Sequence, residues 1–156
     1  MPIDSFLSRL AAAGLTLPEP PEPGGLYVPV RVLGGLAVVA CQFPIRGNER
    51  AYAGRVGGEL TTQQGADAAA LAALNTLAQV RRTPGIERLA GLLRYELYVQ
   101  TAAGWDEFPK VLDGASRVFL AALGPEVGAH ARAPIGVERL PWDMPVELTA
   151  TFALRG

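Results

Sequence analysis

The sequence holds a single cysteine, Cys41, and a single histidine, His130. One thiol excludes an internal disulfide, and one thiol with one imidazole excludes the multi-ligand cysteine and histidine sets of structural zinc sites. No carboxylates stand at ligand spacing around His130, so it reads as a loop histidine rather than a metal ligand. Cys41 has no histidine near it in sequence, and "VVACQFP" places it inside an apolar strand. It reads there as a small packed residue rather than a reactive thiolate. An excess of either charge is also missing: 14 Lys and Arg against 15 Asp and Glu give a net charge of −1. No global field favours nucleic acid or an anionic membrane. The one adjacent basic pair, Arg81–Arg82, reads as a solvated helix end. No run approaches the roughly 18 uncharged apolar residues of a membrane span. In "MPIDSFLSRLAAAGL", Asp4 and Arg9 fall where a signal peptide would be apolar. These absences lead to the expectation of a cytoplasmic protein with neither nucleic acid nor membrane as partner. Phosphate-loop chemistry is missing too, since "GRVGGEL" lacks the required lysine and hydroxyl residue. The pairs Gly24–Gly25, Gly34–Gly35 and Gly57–Gly58 read as turns.

Apolar residues are plentiful: 49% of the 156 residues are hydrophobic before the 18 glycines are counted. Soluble domains reach about 45–50% only with glycine included. The length suits one domain, burying roughly 70% of its unfolded surface. The surplus implies a further apolar face and therefore a subunit interface.

Periodicity gives the elements. Residues 1–17 read as an amphipathic helical appendage, with Asp4 as cap and Gly14 as stop. "PEPPEPGG", Pro18–Gly25, sustains neither helix nor ladder and reads as an extended linker opening the main domain, 18–156. Leu26–Val32 and Leu36–Ile45 form a hairpin around Gly34–Gly35, and Tyr52–Val56 is a candidate short strand. Thr61 and Gln64 have the capping-box spacing of a helix whose stripe runs Ala66, Ala70, Leu74, Leu77, Arg81, widened by Ala73 and Val80. "GLLRYELYVQT" alternates as a strand. "DEFPKVLDGASRVFLAALG" is a second core helix, with Pro109 in its first turn and Gly124 just past its end. Ala131–Glu138 and Val146–Leu154 read as strands joined by "RLPWDMP". The expected architecture is α+β: a single sheet of about five to six strands with two helices on one face. Self-association covers the other face.

Arg132 is conspicuous between Ala131 and Ala133, where a buried strand begins. A guanidinium keeps its charge, so it reaches solvent, pairs with an internal carboxylate or meets an outside anion. No acid adjoins it in sequence: Glu138 is six residues on, and Asp113 belongs to another helix.

The stretches "GLYVPV", "GGLAVVACQFPI", "GRVGGELTTQQGADAAALAALNTLAQV", "DEFPKVLDGAS" and "HARAPIGVERLPWDMPVEL" together resemble the Rid family (YjgF/RidA, older name endoribonuclease L-PSP). The resemblance runs from about Leu17 to the C-terminus and includes a proline-rich opening typical of a longer branch. It implies a chorismate-mutase-like fold and a homotrimer with ligand clefts between subunits. In deaminating members, an arginine eight residues before the Leu-Pro turn holds the substrate carboxylate, and Arg132 stands eight before Leu140. Tyr27 and Phe108 match cleft aromatics, and the Ala40–Gln42 strand, with Cys41 and Gln42, approaches the substrate. Two positions depart from the deaminase pattern: Pro134 replaces a cysteine, and Thr149 replaces a glutamate that helps place the attacking water. Glu147 lies on the same strand face, about 7 Å from Thr149.

The resemblance thus implies a hydrolase of the 2-iminobutanoate/2-iminopropanoate deaminase kind. It would act on small carboxylate-bearing enamines or imines without metal or organic cofactor, with Arg132 as anchor. A non-catalytic trimer binding a small acid or metabolite is the alternative, favoured by Pro134 and Thr149. Ribonuclease action comes third, since the charge balance offers no basic stripe.

Overall fold

Gly34 and Gly35 set the first turn of a structure described here by a computed structural model covering residues 1–47 and 49–156. Both adopt positive φ, 57° and 76°, which only glycine enters at no steric cost. They fold β1 (Val30–Leu33) onto β2 (Leu36–Gln42), pairing Val30 with Val39 and Leu33 with Leu36. β2 continues into a main sheet of order β1-β2-β7-β5-β6, with β5 at Leu89–Gln100, β6 at Ala131–Val137 and β7 at Val146–Leu154. Every pairing is antiparallel except β5 with β6. Parallel neighbours need a long crossover, which α3 (Phe108–Val127) supplies.

Alternation decides which face is packed. Val146, Leu148, Ala150 and Phe152 of β7 turn inward with Tyr95, Leu97 and Val99 of β5. Above them lie α2 (Thr62–Arg82) and α3. The expected capping box is present at Thr61 and Gln64, with both reciprocal bonds made. Small residues let the two helices meet closely: a Cβ placed on Gly114 would lie 2.0 Å from the Ala66 carbonyl oxygen. The sequence reading gave two helices on this face, and α1 (Ile3–Ala12) adds a third. Its Phe6 and Leu10 are buried in the same core. Asp4 sits within the first turn of α1 rather than at its cap, which is Pro2.

Strand ends depart from the sequence reading where proline removes donors. The first strand starts at Val30, not Leu26, because Pro29 has no N–H to give. Leu26, Tyr27 and Val28 are exposed ahead of it. The second ends at Gln42, where the register breaks between Val39 and Gln42. Beyond Pro44, Ile45–Arg46 (β3) and Glu49–Arg50 (β4) form a small separate ladder that the sequence reading lacked. Tyr52–Val56 is not a strand: Gly54 turns at φ 111°, and Val56 makes only isolated bridges to Leu60 and Thr101.

The outward face carries Leu33, Leu36 and Val38, all exposed, beside Arg31 and Thr151. Exposed Leu93 adjoins them at a β5 irregularity.

Candidate functional site

Three of the residues picked from sequence converge. Tyr27, Cys41 and Gln42 line one cleft with Pro21, Phe43, Gln79 and Trp142, enclosing about 80 Å³. Its walls are fixed from several elements. Gln79, fully buried on α2, donates to the Pro21 carbonyl at 2.6 Å and so seats the proline-rich segment. Arg82 pairs with Glu22 at 2.8 Å, and the Gly24 amide donates to the Tyr27 hydroxyl at 3.1 Å. Gln42 is buried and spends its amide hydrogens on the Ala40 and Cys41 carbonyls, at 2.9 and 3.2 Å, bracing the strand irregularity. Asn75 donates to the carbonyls of Phe43 and Ile45 at 2.8 and 2.9 Å. Trp142 holds a left-handed backbone, φ 57°, in the Leu-Pro turn. That conformation costs a non-glycine residue of order 1–3 kcal/mol unless its surroundings enforce it. Here Gln100 does so, donating to Asp143 at 2.7 Å and accepting from the Leu140 amide at 2.7 Å. The indole meets Phe43 edge-on at 5.5 Å and lies under the Arg50 guanidinium at 4.9 Å. Phe43, Gln79 and Trp142 were missed from sequence. A glutamine in an alanine-rich helix stripe and a tryptophan between two prolines were the available signals.

Cys41 also borders the outward sheet face, where Glu147 and Glu96 lie. Burial, then the Glu147 carboxylate accepting from the thiol, then the Glu96 charge push its pKa up to about 12. The thiol stays protonated at neutral pH, as a structural residue should. Burial and the adjacent Glu96 carboxylate likewise raise Tyr98. Glu96 accepts from the Tyr98 hydroxyl at 3.2 Å and pairs with Arg94 at 2.6 Å. Thr149 donates its hydroxyl to the Val39 carbonyl at 2.8 Å, opposite the irregularity in β2.

Arg132 lies elsewhere. It opens β6 opposite Tyr95 and turns to the helical side of the sheet. Its Nη1 donates to Asp113 Oδ1 at 2.7 Å and to Ser116 Oγ at 3.0 Å. The expectation that Arg132 lacks an internal partner is therefore corrected. Asp113 is remote in sequence, but the β5–α3–β6 crossover lays α3 along this edge. Partial burial works against the charge of Arg132, yet Asp113 and the Tyr95 hydroxyl outweigh it and raise the guanidinium pKa. Phe108 is on the same side, edge-on to Trp105 at 4.9 Å and close over Gly136 of β6.

Arg132 does not line the cleft around Tyr27. Neighbouring strands stand about 4.8 Å apart, so β2 and β6, with β7 and β5 between them, are about 14 Å apart. Arg132 and the Tyr27 cleft thus occupy different parts of the surface of one copy of the chain. Among the described residues, no group of three His, Cys, Asp or Glu side chains is placed to hold a metal ion. None of the described helices is long and apolar enough to cross a membrane.

Residues 7–150 match the family described as "YjgF/chorismate mutase-like, putative endoribonuclease". Protein TCP17 of Trypanosoma cruzi is 30% identical over 148 residues, covering 94% of this chain and 92% of that protein. A Shewanella oneidensis MR-1 protein, described in the same endoribonuclease words, is 33% identical with a TM-score of 0.91, covering 96% of this chain and 99% of its own. Atu1372 of Agrobacterium tumefaciens, of unknown function, is 30% identical with a TM-score of 0.89, covering 97% of this chain and 94% of its own. The fold is the chorismate-mutase-like one, and the chain belongs to the YjgF/Rid family.

Proposed function

We propose that the chain is a Rid-type deaminase that completes its site by self-association into a homotrimer. The observation that carries this reading is the separation of Arg132 from the Tyr27 cleft, which we take as two half-sites. Among the described residues, none that lines the cleft of Tyr27, Cys41 and Gln42 is cationic, while Arg132 stands on the edge strand β6, whose Gly136 packs against Phe108. A second copy unites them. The substrate is a small 2-imino acid or its enamine, with its carboxylate on Arg132 and its side chain among Tyr27, Phe43 and Trp142. Water adds to the iminium carbon, a proton moves to nitrogen, and the C–N bond breaks to give a 2-oxo acid and ammonium. Such imines hydrolyse unaided, so the protein has only to place water and stabilise a charged adduct. With Thr149 committed to Val39, Glu147 takes the water-positioning role from beside Cys41.

The test generates the imine in situ with an amino-acid oxidase and measures ammonia release above the spontaneous rate. Wild type is expected to accelerate release, and Arg132→Ala to abolish the acceleration. Its exposed ion pair with Asp113 contributes only about 0–1 kcal/mol, so the melting temperature should barely move. Arg132→Lys keeps the charge without the fork and should weaken binding measurably. Unfolding of Arg132→Ala would make the residue structural and sink the anchor role. The commitment of the Thr149 hydroxyl favours a second reading, a trimer that binds small acids without turnover. Binding of a 2-oxo acid with no gain in ammonia release would select it.

A further inference from the structure

Arg132 is gripped at one end. A guanidinium amino nitrogen carries two hydrogens, and Nη1 gives one to Asp113 at 2.7 Å and the other to Ser116 at 3.0 Å. Nη1 is thereby saturated, whereas Nη2 and Nε hydrogen-bond none of the described residues. The grip has a rigid backing. His130 Nδ1 lies 2.6 Å from the Gly128 carbonyl, an acceptor only, so Nδ1 carries the hydrogen. In the neutral ring Nε2 then accepts from Ser116 Oγ at 3.0 Å. That fixes the serine hydrogen and leaves its lone pairs facing Arg132. Tyr95 closes the cluster from below, its one hydroxyl hydrogen shared between Ser116 Oγ at 2.8 Å and the Leu112 carbonyl at 2.9 Å. His130 and Ser116, which have no role in the proposed reaction, acquire one here.

We propose that Asp113 and Ser116 are positioning residues: by holding Nη1 they fix the guanidinium plane so that the Nε–Nη2 edge faces the ligand carboxylate. This inference rests on the deaminase or small-acid reading of the site. The free edge offers two parallel N–H donors, the fork that matches a carboxylate bidentately. Asp113 also neutralises part of the charge that attracts the ligand, so its removal has two opposing effects. Comparing two variants separates them. Asp113→Ala and Asp113→Asn delete the same charge, but only asparagine keeps an oxygen on Nη1. Asp113 is 45% exposed, so neither substitution disturbs the core.

The experiment titrates the full chain with 2-oxobutanoate by calorimetry and measures steady-state ammonia release. Asp113→Ala is expected to bind about fivefold more weakly than Asp113→Asn, the worth of an aligned charge-assisted bond. The difference should appear in KM, with kcat within about twofold. Equal or tighter binding by Asp113→Ala would overturn the proposal and make Asp113 a competing counter-ion. A second readout needs no ligand: the side-chain ¹⁵N signals of Arg132. Restricted Nη1 signals in wild type and Asp113→Asn, averaged in Asp113→Ala and Ser116→Ala, support the grip. Identical averaging in all four chains overturns it. If wild type neither binds the oxo acid nor releases ammonia, the functional reading fails while the ¹⁵N comparison still decides the grip. Should Asp113→Ala not fold, Asp113→Ser, whose hydroxyl is too short to reach Nη1, replaces it.

Discussion

Cys41 and Arg132 show how far single residues can be read. The thiol was legible: an apolar strand with no base nearby implies an inert cysteine. The structure adds the cause, burial beside Glu147, and a pKa of about 12 against an ordinary 9.0. At pH 8 its thiolate fraction is far below that of an ordinary cysteine, so iodoacetamide should alkylate it much more slowly. The rate should keep climbing tenfold per pH unit beyond pH 9, where a free thiol levels off. A plateau near pH 9 would contradict this. The folded chain holds this proton more tightly than the unfolded one. The corresponding stability is therefore complete below about pH 9 and lost as pH rises towards 12. Cys41→Ala should leave any deaminase rate within several-fold. Arg132 was legible as an anomaly but not in its contacts. Asp113 and Ser116 reach it through tertiary packing, 19 and 16 residues away, and no local pattern encodes that.

At the scale of elements, the helices were the clearest. Thr61 and Gln64 announce the start of α2, and its alanine face announces close packing without naming the partner. The partner is Gly114. In a helix interior, glycine is less favourable than alanine by roughly 0.5–1 kcal/mol, so propensity alone predicts that Gly114→Ala stabilises α3. Packing reverses the sign: the new methyl would stand 2.0 Å from the Ala66 oxygen and 2.7 Å from its carbon, both backbone atoms. Separating two helices to admit it costs about 1–3 kcal/mol or more. Gly114→Ala should lower the melting temperature by several degrees, and a rise would show that the helices slide apart freely. Strand ends were harder to read, because alternation continues through Pro29 and Pro44 while the hydrogen-bond ladder does not. The Trp142 turn was harder again. Its left-handed backbone is enforced by Gln100 from a different strand, so two distant segments had to be known together.

For the whole molecule, the surplus of apolar residues was legible and its location was not. The structure puts it on the outward sheet face, with Leu33 69% exposed, Leu36 39%, Val38 45% and Leu93 49%. Full burial of a leucine or valine is worth about 1.5–3 kcal/mol, and each of these forgoes roughly half of that, which together is an inducement to associate. Arg31 and Arg94 are interspersed with Glu96 and Glu147 on the same face, so an assembled interface also has charges to match. The proposed assembly takes its number of copies, three, from the resemblance to the Rid family, and under that proposal the distance between Arg132 and the Tyr27 cleft gives the assembly a function. Sedimentation equilibrium at micromolar concentration should therefore give three times the 16.4 kDa chain mass. Val38 is the position to attack, since it projects from mid-β2 and pairs with Arg31 and Thr151 across the two neighbouring strands. Val38→Glu places an uncompensated charge in the proposed interface while touching nothing in the helical core. It should release folded monomers, unchanged in far-ultraviolet circular dichroism, that neither bind 2-oxobutanoate nor accelerate ammonia release. Wild type sedimenting as a monomer would remove both the trimer and the shared cleft. A Val38→Glu monomer with full activity would place the whole site within one chain, and Arg132 would then have to act without the Tyr27 cleft.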